Sequence, residues 1–167
     1  MNLEGKNIIV TGGSLGIGKE TAKALVDKGA NVLITGRSEE RLLKAKLYCN
    51  AETIEFDIAD FDNIPKFAKE CLSVLENRVD VLINNAGIGV RSSIEELNIG
   101  DFLKVFNVNV FGLSLFTKEI VPLMKENKSG TIINIGSTAS LKGYQTGSIY
   151  SASKFAVRCL SQCWQAE

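Results

Sequence analysis

Five short apolar runs, at residues 8–10, 32–34, 54–56, 79–83 and 132–135, recur through the chain without the polar–apolar alternation of a half-exposed strand. A strand is apolar at successive positions when both of its faces are buried, as in a parallel sheet covered by helices. The intervals between the runs carry helical patterns. Ile17, Thr21, Ala24 and Leu25 share one face of a first helix that Gly29 is placed to stop, and Leu43 and Leu47 mark a weaker second one. Ile64, Phe67, Ala68, Cys71, Leu72 and Leu75 form the cleanest amphipathic pattern. A longer helix is predicted over 101–125, with Pro122 bending or breaking it near its end. Its apolar surface is wider than one sheet contact needs, so part of it is expected to meet another subunit, as is the last helix, from 150 onward. The alternation predicts one α/β domain over 1–167, a doubly wound parallel sheet with about five strands.

Composition narrows the function. The 167 residues carry no net charge and no run of like charges, which argues against nucleic acid or an anionic membrane as partner. No apolar run in the sequence approaches membrane-spanning length, and a cytoplasmic protein is expected. Cys49, Cys71, Cys159 and Cys163 form no C-x-x-C pair, so neither a disulfide framework nor a metal site is expected. Histidine is absent altogether, which removes Ser-His-Asp and Cys-His nucleophiles and leaves Tyr, Lys, Cys or a carboxylate for proton transfer near neutral pH.

The first apolar run leads into Thr11-Gly12-Gly13-Ser14-Leu15-Gly16-Ile17-Gly18, and a helical pattern follows at once. Strand, glycines and helix in this order make the Rossmann arrangement for a dinucleotide, in which the backbone approaches a pyrophosphate and the helix N-terminus meets its charge. The second run ends at Gly36-Arg37, where an adenosine ribose would lie. An arginine there offers a planar cation to the 2′-phosphate of NADP, whereas NAD calls for a carboxylate, so NADP(H) is expected over NAD(H).

The glycine spacing is T-G-x-x-x-G-x-G rather than G-x-G-x-x-G, and it resembles the turn of the classical short-chain dehydrogenase/reductase family. Asn84-Asn85-Ala86-Gly87 is similar to that family's N-N-A-G element, and Tyr150-x-x-x-Lys154, with Ser137 thirteen residues before the tyrosine, to its catalytic set. The resemblance implies cofactor contacts from Thr11, Gly12, Ser14, Leu15, Gly16, Ile17 and Gly18, from Arg37, from Asp57 and Ile58, from Asn85, Ala86 and Gly87, and from Tyr150 and Lys154. Asp57 would meet the adenine, while Asp60 and Asp62 are better placed to cap a helix. The implied reaction moves a hydride between NADPH and a carbonyl or secondary alcohol. In it Tyr150 is the acid/base, Lys154 favours its ionised form, Ser137 orients the substrate oxygen and Asn109 holds a relay water.

The family pattern continues beyond the helix of Lys154, so the chain is expected to be an N-terminal piece lacking the C-terminal strands and a substrate-covering segment. A cofactor-binding module without turnover is one alternative. A sugar-nucleotide epimerase or dehydratase is another, although those relatives pair Y-x-x-x-K with G-x-x-G-x-x-G.

Overall fold

The computed structural model describes residues 2–167. Its strands are β1 (Asn7–Thr11), β2 (Asn31–Gly36), β3 (Glu52–Glu55), β4 (Val81–Asn84) and β5 (Thr131–Asn134). All neighbours pair in parallel, in the order β3-β2-β1-β4-β5. The helices are α1 (Gly16–Val26), α2 (Glu39–Cys49), α3 (Ile64–Val74), α4 (Ile99–Phe106), α5 (Leu113–Glu126) and α6 (Ser148–Gln165). The expected fold class is therefore the one observed.

The apolar runs are continuous because successive side chains feed two different cores. Ile9 of β1 joins Leu33 and Leu82 against Phe67 of α3 and Phe116 and Ile120 of α5. Its neighbours Ile8 and Val10 join Val32, Ile34, Val81 and Ile83 against Ala22 of α1 and Leu42 of α2. Strand β5 lies at one edge of the sheet, where Ile133 is 42% exposed.

Local signals succeed at some helix ends and fail at others. Gly29 adopts φ +81°, its N–H donates to the Val26 carbonyl, and the Ala30 N–H donates to that of Leu25. This Schellman closure is the stop expected at that glycine. The expected inner face of α1 holds only in part: Leu25 packs against the core, but Ile17 is 68% exposed and Ala24 is exposed, while Gly18 and Ala22 are buried. Ala22 joins the core, and Gly18 sits so close to the Asn85 amide and the Gly12 carbonyl that no side chain fits there.

The long helix also departs from expectation. Helical structure runs from Ile99 to Glu126, and this 28-residue run is long and apolar enough to cross a membrane by length and composition, correcting the sequence reading. Here α5 packs against α3 with Phe116 and Ile120 fully buried. Pro122 does not end it, for α5 continues through Glu126. The irregularity is instead a π-helical segment, Asn107–Gly112, between α4 and α5. At its end, a Cβ on Gly112 would collide with the Ile58 carbonyl oxygen and lie 2.9 Å from that of Asn107. Gly112→Ala should therefore cost about 1–3 kcal/mol of stability, read as a lower urea midpoint with unchanged slope.

Candidate active site

Strands β1 and β4 lie side by side, but the chain leaves them toward opposite edges of the sheet, which opens a crevice at their carboxyl ends. The glycine turn after β1 forms its floor. Gly12 and Gly16 have φ of +65° and +53°, a region that suits glycine. A Cβ at Gly12 would lie 2.8 Å from Ala86 Cα, and one at Gly18 would collide with the Asn85 amide and the Gly12 carbonyl. At Gly16 nothing lies within 4 Å of such an atom. With Gly13, where a Cβ would meet Ile34 at 2.5 Å, three glycines of the turn are demanded by packing, and one faces open space. Leu15, at the N-cap of α1, supplies no capping side chain, and the first turn holds no acidic residue. The helix start is therefore open to an anion.

Two clefts meet over this floor, and both include Gly12, Ala86, Gly87 and Ile88. The first, about 680 Å³, is bordered by Ser14, Arg37, Asp57 and Ile58. The second, about 580 Å³, is bordered by Leu15, Ile17, Tyr150 and Lys154. Together they make a groove suited to an extended ligand.

In the first cleft Arg37 Nη1 lies 3.7 Å from Asp57 Oδ2, with both side chains substantially exposed. Asp57 Oδ1 accepts the Ala59 N–H at 3.0 Å, whereas Asp60 makes no capping bond. Asp57 faces the groove as expected and closes a local turn besides, whereas Asp60 does not supply the expected cap. Arg41, which the sequence reading passed over, borders the same cleft. Its i, i+4 spacing from Arg37 at a helix start was the available signal.

The loop after β4 is braced from below. Thr11 Oγ1 accepts the N–H groups of Asn85 and Ala86, both at 3.1 Å, and Asn85 Nδ2 donates to the carbonyls of Thr11 and Gly12 at 2.9 and 3.0 Å. Thr11, expected among the cofactor contacts, is buried beneath the groove rather than in its wall.

Helix α6 brings Tyr150 and Lys154 to the second cleft on successive turns. The Tyr150 ring lies against Gly89, where a Cβ would come within 3.2 Å of it. Lys154 Nζ lies 5.9 Å from the centre of that ring and donates to the Ile135 carbonyl at 2.7 Å. Burial pushes its ammonium below the usual lysine range. The other two expected catalytic residues stand outside the wall. Asn109, 1% exposed, accepts the Ile88 N–H at 2.8 Å and donates to the Ile88 carbonyl at 2.9 Å and to Ser153 Oγ at 3.0 Å. Ser137 Oγ accepts the Ala139 N–H at 3.1 Å, capping a short turn, while Ile135 and Gly136 occupy the adjacent wall. Tyr144 and Arg91 border the cleft as well; they lie in loops that show no periodicity, and only their position identifies them.

A parallel sheet with an open glycine-rich helix start at its switch point, faced by a tyrosine–lysine pair, defines a Rossmann-type α/β domain. Residues 6–167 match the model of the short chain dehydrogenase family. The chain belongs to that family, and membership implies a nicotinamide cofactor. It is 34% identical to dehydrogenase/reductase SDR family member 7B of Xenopus laevis, over 99% of this chain and 54% of that protein. It is 33% identical to 3-ketodihydrosphingosine reductase of Mus musculus, over 99% of this chain and 52% of that protein. A solved short chain dehydrogenase/reductase family protein superposes with a TM-score of 0.92 at 34% identity, covering 99% of this chain and 69% of the other. The chain thus spans about half the length of these two curated relatives.

Proposed function

We propose that the protein is an NADP(H)-dependent oxidoreductase acting on a carbonyl or secondary alcohol. One observation carries this reading: the phenol of Tyr150 and the ammonium of Lys154 share a groove with the glycine turn. The residues fit a nicotinamide dinucleotide, since Gly12 of the turn lines both clefts and the uncapped start of α1 favours a pyrophosphate. When bound, the nicotinamide supplies or accepts the hydride. Tyr150 would pass its hydroxyl proton to the substrate oxygen on reduction and recover it on oxidation. Lys154, one turn away on α6, adds a cation to the same cleft. Arg37 and Arg41 would hold the 2′-phosphate. The reductase named among the relatives supports carbonyl chemistry.

The test is cofactor choice. NADPH should bind about tenfold to a hundredfold more tightly than NADH, the range expected of a charge-assisted contact, and Arg37→Ala should bring the two affinities together. Equal affinities in the unmodified protein, measured by calorimetry, would overturn the NADP assignment. The engagement of Ser137 in its own turn favours a second reading, a cofactor-binding module without turnover; it would bind NADPH yet reduce no carbonyl in a broad panel. A homo-oligomer is part of the first reading. Ile99, Leu103, Phe111 and Leu115 leave an exposed apolar stripe along the long helical run, and Phe155 is exposed on α6. A cytoplasmic location also belongs to it, supported by four free cysteines.

A further inference from the structure

The wall of the catalytic cleft contains no aspartate or glutamate, and its two cations differ in kind. Lys154 is 5% exposed and its ammonium is committed to the Ile135 carbonyl. Arg91 is exposed and, among the described residues, forms no ion pair. Its backbone is nonetheless held. Two residues before it, Gly89 touches the Tyr150 ring; one residue after it, the Ser92 N–H donates to the Thr146 carbonyl at 3.1 Å. Thr146 has φ +60°, an uncommon value for a β-branched residue, in the segment that also carries Tyr144 into the cleft. The chain is therefore fixed where Arg91 borders the cleft. The attachment of its side chain lies roughly 7 Å of chain from the contact with Tyr150. The rest of this side of the cleft is apolar or aromatic: Ile88, Val90 and Tyr144.

We propose that Arg91 selects carbonyl substrates bearing an oxyanion, a carboxylate or phosphate a few bonds from the reacting carbon. The proposal rests on the reductase reading and deepens it by naming a substrate class. A planar guanidinium takes such a group through paired hydrogen bonds, and no acidic neighbour in the cleft competes for it. A neutral ketone of the same shape reaches Tyr150 but leaves Arg91 in water.

Matched pairs test this: levulinate against its methyl ester, and dihydroxyacetone phosphate against dihydroxyacetone. Each is titrated by calorimetry into the protein saturated with NADP+, with which the ketones cannot be reduced, alongside Arg91→Ala and Arg91→Lys. The anionic member of at least one pair should bind about tenfold to a hundredfold more tightly, and the pair that responds distinguishes carboxylate from phosphate. Arg91→Ala should bring that ratio near one, Arg91→Lys should retain part of it, and NADPH affinity should be the same in all three proteins. Equal or absent binding within both pairs overturns the proposal, as does a preference that survives Arg91→Ala. A parallel loss of NADPH affinity in Arg91→Ala overturns it too, by making Arg91 a cofactor contact. Failure of the reductase reading looks different: the anion preference and its dependence on Arg91 persist, supporting the selector role, while NADPH absorbance never falls when NADPH takes the place of NADP+.

Discussion

Tyr150→Phe should lower turnover by on the order of a thousandfold while leaving NADPH affinity and thermal stability unchanged. The substitution removes one oxygen. The ring that packs against Gly89 stays, and Lys154 keeps its bond to the Ile135 carbonyl, so neither the loop nor the helix loses a contact. What disappears is the proton carrier. With no histidine in the chain and no carboxylate in the cleft wall, only Tyr144 and Lys154 of that wall carry a titratable side-chain proton besides Arg91, and Lys154 is held on the Ile135 carbonyl. Turnover within tenfold of the unmodified protein would remove Tyr150 from its proposed role. A matching loss of cofactor affinity would make it a binding residue instead.

The second large effect belongs to a residue that touches neither cleft. Asn109→Ala deletes three hydrogen bonds at a fully buried position and strands the N–H and carbonyl of Ile88. With the Ile88 groups partly buried and only the Ser153 partner fully so, the cost is about 1–3 kcal/mol. The loop released is the one that lines both halves of the groove. A Cβ at Gly87 would lie 3.4 Å from Asn109 Oδ1 and 3.6 Å from Lys154 Nζ, which shows how closely amide, loop and ammonium are packed. The urea midpoint should fall with its slope unchanged, and turnover should fall beyond what the unfolded fraction explains. A residue serving only to hold a relay water would behave otherwise: stability would persist and only the pH profile would move. The two measurements together separate a clamp from a relay.

These residues also show how far the sequence could be read. The buried strands were visible because two-sided burial writes itself as uninterrupted apolar letters, as at Ile8, Ile9 and Val10. The glycine turn and the Tyr150–Lys154 pair were visible because their spacing is local. The inner face of α1 was visible only in part, because Gly18 and Ala22 are buried for their smallness, and a pattern built on hydrophobicity points to Ile17 instead. The π-helical turn around Asn109 was invisible for another reason. Nothing in Asn107–Gly112 forbids an ordinary helix; the collision that a side chain at Gly112 would suffer comes from Ile58, far away in sequence. Arg91 and Tyr144 were hidden in the same sense, since only the fold brings their two loops together.

The groove draws on Gly12 and Ser14 after β1, Arg37 after β2, Asp57 after β3, Ala86 and Gly87 after β4, and Tyr150 and Lys154 on α6. No short stretch of chain owns a binding surface of its own. A ligand filling the groove therefore recognises the finished sheet and nothing less, and its occupancy is linked to folding. At a hundred times its dissociation constant it adds about 2.7 kcal/mol to the folded state. For a domain of ordinary marginal stability that is a substantial share of the total. The supply of that ligand in the cell then governs more than the rate of a reaction: it sets how many copies of the chain survive surveillance by proteases.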